Sequence, residues 1–186
     1  MNCPPCEISR PYPAESASAD RQRYPVSACQ RTKETMPTIK TDVTINAPPL
    51  VVREAFLDFP SYPLWNPFLT LMVPVGPSPT PGSHLKFVAG GHAIESVIKE
   101  NTPEKFNWMG TFLGEWFFAG THHFEFQPFG DVGENGETVG CKFVQNEVFT
   151  GIAAGLLLYF IREDMEKGFI AMNKALKGRV ETGTGT

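Results

Sequence analysis

Long hydrophobic runs are missing from this chain of 186 residues. The longest, GIAAGLLLYFI at 151–161, falls well short of the ~20 apolar residues that cross a bilayer, so no membrane span is expected. A basic excess is missing too. Sixteen Lys and Arg against 20 Asp and Glu leave a net charge of −4, which lacks the electrostatic footprint of a nucleic-acid binder. Cysteine is scarce: Cys3, Cys6 and Cys29 sit near the start and Cys141 lies far away in an apolar segment. Cys3-Pro-Pro-Cys6 is half of a zinc spacing without its second pair, so free thiols and no metal are expected. The opening MNCPPCEISRPYP has neither the basic start nor the apolar centre of a signal peptide, and a cytoplasmic protein is the resulting expectation. No glycine-rich phosphate loop follows a strand and opens a helix, and no serine or cysteine stands in a recognisable nucleophile elbow. No cofactor is expected.

What is present changes character at Met36. Residues 1–36 are rich in Pro, Ser, Arg and Gln and cannot bury enough apolar surface to offset their ordering entropy, so they read as a disordered N-terminal extension. The domain is expected over 37–182, with a flexible tail at 183–186. Ile39, Thr41, Val43 and Ile45 alternate with polar neighbours, as in a half-buried strand. Pro48 and Pro49 then suit a helix start, with Val51, Val52, Ala55 and Phe56 as its apolar stripe. PSYPLWNPF is too rich in proline for more than a turn or a short helical piece. Strand-like runs follow at 68–75, 84–89, 93–100, 105–112, 120–128 and 138–149, separated by Gly, Pro and Asn. Such spacing predicts a meandering antiparallel sheet.

One long helix over 152–181 closes the chain. Ala154, Leu158, Ile161, Met165, Phe169, Met172 and Leu176 share its inner face. Leu156 and Phe160 fall on the opposite, charged side, where a loop covers them or they form an apolar entrance.

This order of elements resembles the START-like (SRPBCC) helix-grip superfamily, and several motifs support the likeness. APPLVVREAFLDFPSYPLWNPF at 47–68 is similar to the family's opening. FNWMG at 106–110 and GTHHF at 120–124 resemble strands of its polyketide cyclase/dehydrase-type branch, while QNEVFTG and MNKALKGRVE are similar to the last strand and the helix end. The resemblance implies an α+β fold in which a strongly curved antiparallel sheet wraps around the long C-terminal helix, with two short helices after the first strand and a cavity between. It implies a small hydrophobic molecule as partner. Some members are cyclases or dehydratases and others only carry a ligand, so the site has to be argued from its residues.

Neighbours in a strand point to opposite faces. His122 therefore shares a face with Phe124 and Phe126, and His123 shares the other with Glu125, so the pair cannot converge on one metal. His123 is expected to be solvated and His122 to face the cavity. In the next strand Cys141, Phe143, Gln145, Glu147 and Phe149 form one row, which places Gln145 opposite or next to His122 with Glu147 close. A histidine and a carboxylate in an apolar cavity suit general acid–base work; as buried polar groups they equally suit hydrogen bonding to one another or to a ligand. His122 and Glu147 are the candidate catalytic residues. Trp108, Phe124, Phe143, Gln145, Met165, Phe169 and Met172 are the candidate substrate-binding residues, with Trp116 in an apolar lip formed by 116–118. The expected function is binding of an apolar polyketide or aromatic intermediate and promotion of its cyclisation or dehydration in secondary metabolism, alongside a biosynthetic partner enzyme; the alternative is a carrier of a lipid or other hydrophobic molecule.

Overall fold

Alternation of buried and exposed side chains drives a seven-stranded antiparallel sheet, seen in a computed structural model that describes residues 36–133, 136 and 138–183. The extension before Met36, with Cys3, Cys6 and Cys29, and residues 184–186 of the tail lie outside the described residues. The strands are β1 (Thr38–Ile45), β2 (Leu69–Val75), β3 (His84–Ala89), β4 (His92–Asn101), β5 (Lys105–Phe112), β6 (Phe118–Val132) and β7 (Thr138–Thr150). Their order across the sheet is β1-β7-β6-β5-β4-β3-β2. The first two strands thus form opposite edges, and the segment between them must cross the mouth of the curved sheet. That segment is helix α1 (Pro49–Leu57), a 3₁₀ turn (Phe59–Ser61) and helix α2 (Tyr62–Trp65). Helix α3 (Ala154–Gly183) is gripped by the sheet, which makes this the helix-grip α+β fold.

The aromatic residues decide where the core lies. Phe56 of α1 reaches into the concave face, with its ring centroid 4.7 Å from Phe124, 5.7 Å from Phe106 and 5.7 Å from Phe143. Met172 and Leu176 of α3 are fully buried in the same cluster. Each such side chain contributes ~1.5–3 kcal/mol by leaving water. A second, smaller cluster joins Ile39, Phe149, Ala154, Leu158 and Phe169.

Two elements differ most clearly from the sequence expectation. Helix α3 begins at Ala154 rather than 152. The amides of Ile152 and Ala153 donate instead to the carbonyls of Trp116 and Phe117 at 3.1 and 3.0 Å, tying the β5–β6 loop to the helix start. Strand β6 is longer than expected at both ends, because Phe118 pairs with Phe112 and Val132 with Thr138.

Candidate functional site

Three neighbouring strands set one row of side chains across the concave face: Trp108 of β5 is opposite His122 of β6, which is opposite Glu147 of β7. The expected neighbour Gln145 sits one step further along, opposite Phe124. Above this row runs α3, whose Ile161, Met165 and Phe169 recur every four residues and so share one face. Between helix and sheet lies a cavity of about 390 Å³, lined by these residues together with Phe68, Phe87, Gly110, Phe118, Gly120 and Phe149 among others. That volume lies in the range of small-molecule sites, ~300–1,000 Å³. The cavity is not closed: Ala93, Ile94, Thr111 and Phe112 line it and are exposed at its mouth.

His122 is held by aromatic neighbours. Its ring stacks on Phe124 at 4.2 Å, lies 4.7 Å from Phe169 and meets Trp108 edge-on at 5.1 Å. Burial among these apolar rings pushes its proton affinity well below that of an ordinary histidine, with the neighbouring His123 acting in the same direction. Glu147 shares this environment, and burial pushes its carboxyl up to about 8. The imidazole Nδ1 and the carboxyl Oε2 are 3.9 Å apart, too far for a hydrogen bond. Desolvation opposes charge on both, so a neutral imidazole faces a protonated carboxyl near neutral pH. His122 Nε2 and Glu147 Oε2 are buried without a hydrogen-bond partner. Buried polar atoms normally have one.

Room for the Glu147 carboxyl comes from Gly120. A Cβ there would lie 2.6 Å from Glu147 Oε1, so the side chain can fold over the strand only because that position carries none. Gly168 acts similarly on the helix, where a Cβ would overlap the ring of Phe68, a cavity residue packed edge-on against Phe169 at 5.6 Å.

The remaining candidates divide by depth. Trp108, Met165 and Phe169 line the cavity with His122 and Glu147. Phe124, Phe143 and Met172 belong to the packed core, where the Phe56 ring from α1 packs against Phe124 and Phe143. Gln145 is fully buried there, its Nε2 directed at Met172 Sδ at 3.7 Å. Trp116 is 68% exposed and stands outside the cavity wall. Leu156 and Phe160 are exposed as well, so no loop among the described residues covers them. His123 is half-buried on the convex face opposite Asn107 and Asn146, and burial lowers its proton affinity against the opposing pull of Glu125 and Glu100. The Cys141 thiol is pushed up to about 12 by burial and is inert as a nucleophile.

Sequence reasoning missed Phe68, Phe87, Gly110 and Gly120 as cavity residues. Gly110 and Gly120 were within reach of the alternation rule, since each shares a strand face with Trp108 or His122. Phe68 was not, because its position depends on the chain crossing the sheet mouth. Among the described residues no group of three or more His, Cys, Asp or Glu is placed to hold a metal, and no helix is long and apolar enough to cross a membrane.

The fold and site together define a helix-grip domain with a buried acid–imidazole pair facing an apolar cavity. The family described as "Polyketide cyclase / dehydrase and lipid transport" matches residues 36–181, and the chain belongs to that family. No curated protein matches it. Among solved structures, a hypothetical protein from Helicobacter pylori is 14% identical, with 89% of this chain and 99% of that one covered at a TM-score of 0.63. The Zhui aromatase/cyclase from Streptomyces sp. R1128 is 13% identical, with 79% and 94% covered at 0.59. A START superfamily protein from Mycobacterium smegmatis is 17% identical, with 78% and 97% covered at 0.55. At these identities the likeness shows the fold.

Proposed function

We propose that this chain binds an apolar polyketide or aromatic intermediate in its cavity and promotes cyclisation or dehydration without a cofactor. The observation that carries the reading is the pairing of His122 with Glu147 across neighbouring strands, each with an unpartnered buried polar atom in an apolar cavity wall; burial favours the neutral form of both. A carboxyl near pH 8 is matched to proton transfer at neutral pH. In ring closure, His122 takes the proton from an enolisable carbon while Glu147 gives its proton to the carbonyl oxygen that the new carbon–carbon bond converts to a hydroxyl. The imidazolium then returns a proton to Glu147 through the new hydroxyl, which bridges the two groups because 3.9 Å is too long for a direct hydrogen bond. Dehydration follows when the hydroxyl leaves as water, protonated by the same carboxyl as a further carbon-bound proton is lost to His122. The aromatic walls hold a flexible chain in a reactive fold, which supplies the proximity contribution. Membership of a cyclase/dehydrase family and the fold shared with an aromatase/cyclase support the reading. A biosynthetic enzyme that supplies the intermediate is the partner it calls for.

The second reading is a carrier of a hydrophobic molecule. It is favoured by the absence of a hydrogen bond between His122 and Glu147, which leaves both free to hold a ligand's polar end, and by the lipid transport named in the family description. The test is conversion of a linear polyketide mimic by the wild type, His122→Phe and Glu147→Gln, each checked for folding and binding. The catalytic reading expects the variants to bind and to lose ~10²–10⁴-fold in rate. Wild-type binding with no acceleration, repeated across mimics of different chain length, would establish the carrier.

A further inference from the structure

Two glycines face each other on the cavity side of the sheet. Gly110 of β5 pairs with Gly120 of β6, one step along from Trp108 and His122, and both line the cavity. Glycine inside a strand weakens it and marks close approach by a ligand or another backbone. The two positions are not equivalent. Gly120 is required by Glu147, as described above. A Cβ at Gly110 would meet Ile94 Cγ2 at 3.7 Å and nothing nearer, so the fold itself does not demand glycine there. Its bareness leaves a strip of flat backbone facing the cavity, bordered by Trp108 and Phe118.

The charge of the wall is equally specific. Among the described residues, no lysine or arginine lines the cavity, and its ionisable side chains are His122, Glu147 and Glu95. Glu95 stands exposed at the mouth, where it is bonded to His84 at 2.8 Å. A carboxylate or phosphate carried inside would meet no counter-charge, and burying an unpaired charge is costly. What the wall does offer is two unpartnered polar atoms at one end, on His122 and Glu147.

We infer that the cavity selects an uncharged, flat, ring-containing ligand with one oxygen at its buried end, and that Gly110 is the residue that admits the ring. The inference rests on the reading that this cavity is the working site, and it extends that reading to the ligand's charge and thickness. A hydroxyl or carbonyl oxygen would sit between His122 and Glu147, and the ring face would lie on the bare backbone at Gly110, beside the Glu147 carboxyl that covers Gly120.

Calorimetric titration of the folded protein with naphthol, naphthoate and the saturated decalinol tests it at neutral pH. Naphthol is expected to bind, with naphthoate and the thicker decalinol ~10-fold or more weaker. Gly110→Val should weaken naphthol by a similar factor with the fold intact. Should Gly110→Val fail to fold, Gly110→Ala carries that arm, because its Cβ makes only ordinary contacts. The inference is overturned if naphthoate or decalinol binds as well as naphthol, if the folded Gly110 variant keeps full affinity, or if the wild type binds none of them. These are binding measurements. Selective binding without turnover would sink the catalytic reading alone, and turnover with indifferent binding would sink this one alone.

Discussion

Glu147 keeps its proton in the folded protein up to about pH 8, whereas an unfolded chain loses it near ~4.3. Between those values the unfolded state binds fewer protons, so the wild type loses stability as pH rises, by at most ~1.4 kcal/mol per pH unit. His122 acts on the other side. Its depressed proton affinity means the unfolded chain takes up a proton first, and stability falls as pH drops below ~6.5. Glu147→Gln removes the first effect. Urea unfolding should find its stability relative to wild type improving by roughly 1–4 kcal/mol between about pH 5 and about pH 8; a constant difference would mean that Glu147 ionises normally. Gly120→Ala is the complementary probe. Its Cβ meets the movable end of Glu147, and alanine lowers unfolded-state entropy by ~0.4–1 kcal/mol. The expected result is a nearly unchanged melting temperature with activity on the polyketide mimic reduced, through displacement of the carboxyl. A variant as active as wild type would show that the position of the carboxyl does not matter.

At the scale of elements, α3 performs two tasks along one face. Met172, Leu176 and Val180 are buried in the main core, while Ile161 and Met165 face the cavity and are less covered. The regular stripe gave no sign of this division. Gly168 lies between the two regions and lets Phe68 approach the helix. Glycine to alanine inside a helix ordinarily stabilises by ~1 kcal/mol. Here the added methyl must push an aromatic ring out of the cavity wall, so Gly168→Ala should lower the melting temperature and change naphthol affinity together. A rise in melting temperature would show that Phe68 relocates freely. Helix α1 supplies the other decisive contact. Phe56→Ala removes a ring packed against Phe106, Phe124 and Phe143 and should cost ~3–5 kcal/mol in chemical denaturation. A loss under ~1 kcal/mol would mean that the core closes over the gap.

For the whole molecule, the sheet's two edges are sequential strands brought to opposite sides, and the β1 edge begins with hydrogen bonds to residues near Met36. Thr38 Oγ1 donates to the carbonyl of Met36 at 2.7 Å, and the amide of Phe149 donates to that of Pro37 at 2.9 Å. The family match also starts at residue 36. We therefore expect a chain beginning at Met36 to keep the melting temperature and naphthol affinity of the full chain. One beginning at Lys40 should lose several degrees, because it gives up Ile39 in the core as well as the Pro37 bond. Equal melting of both would show that the start of β1 contributes nothing.

The strands, the long helix and the side to which each strand residue points were legible in the chain, because alternation and helical periodicity are local consequences of backbone geometry. That was enough to turn His122 inward and His123 outward, and to put Glu147 on the cavity side. Cross-strand register was not local: a shift of two residues keeps every side chain on its face, so the pattern could not choose between Gln145 and Glu147 as the partner of His122. Nor could it foresee that Phe56, arriving from α1, would fill the space beside Phe124 and Phe143 and confine the cavity to the half bounded by Gly110, Gly120 and Phe68. Those matters were settled by packing between distant parts of the chain, since packed volume depends on which distant side chain arrives to occupy it.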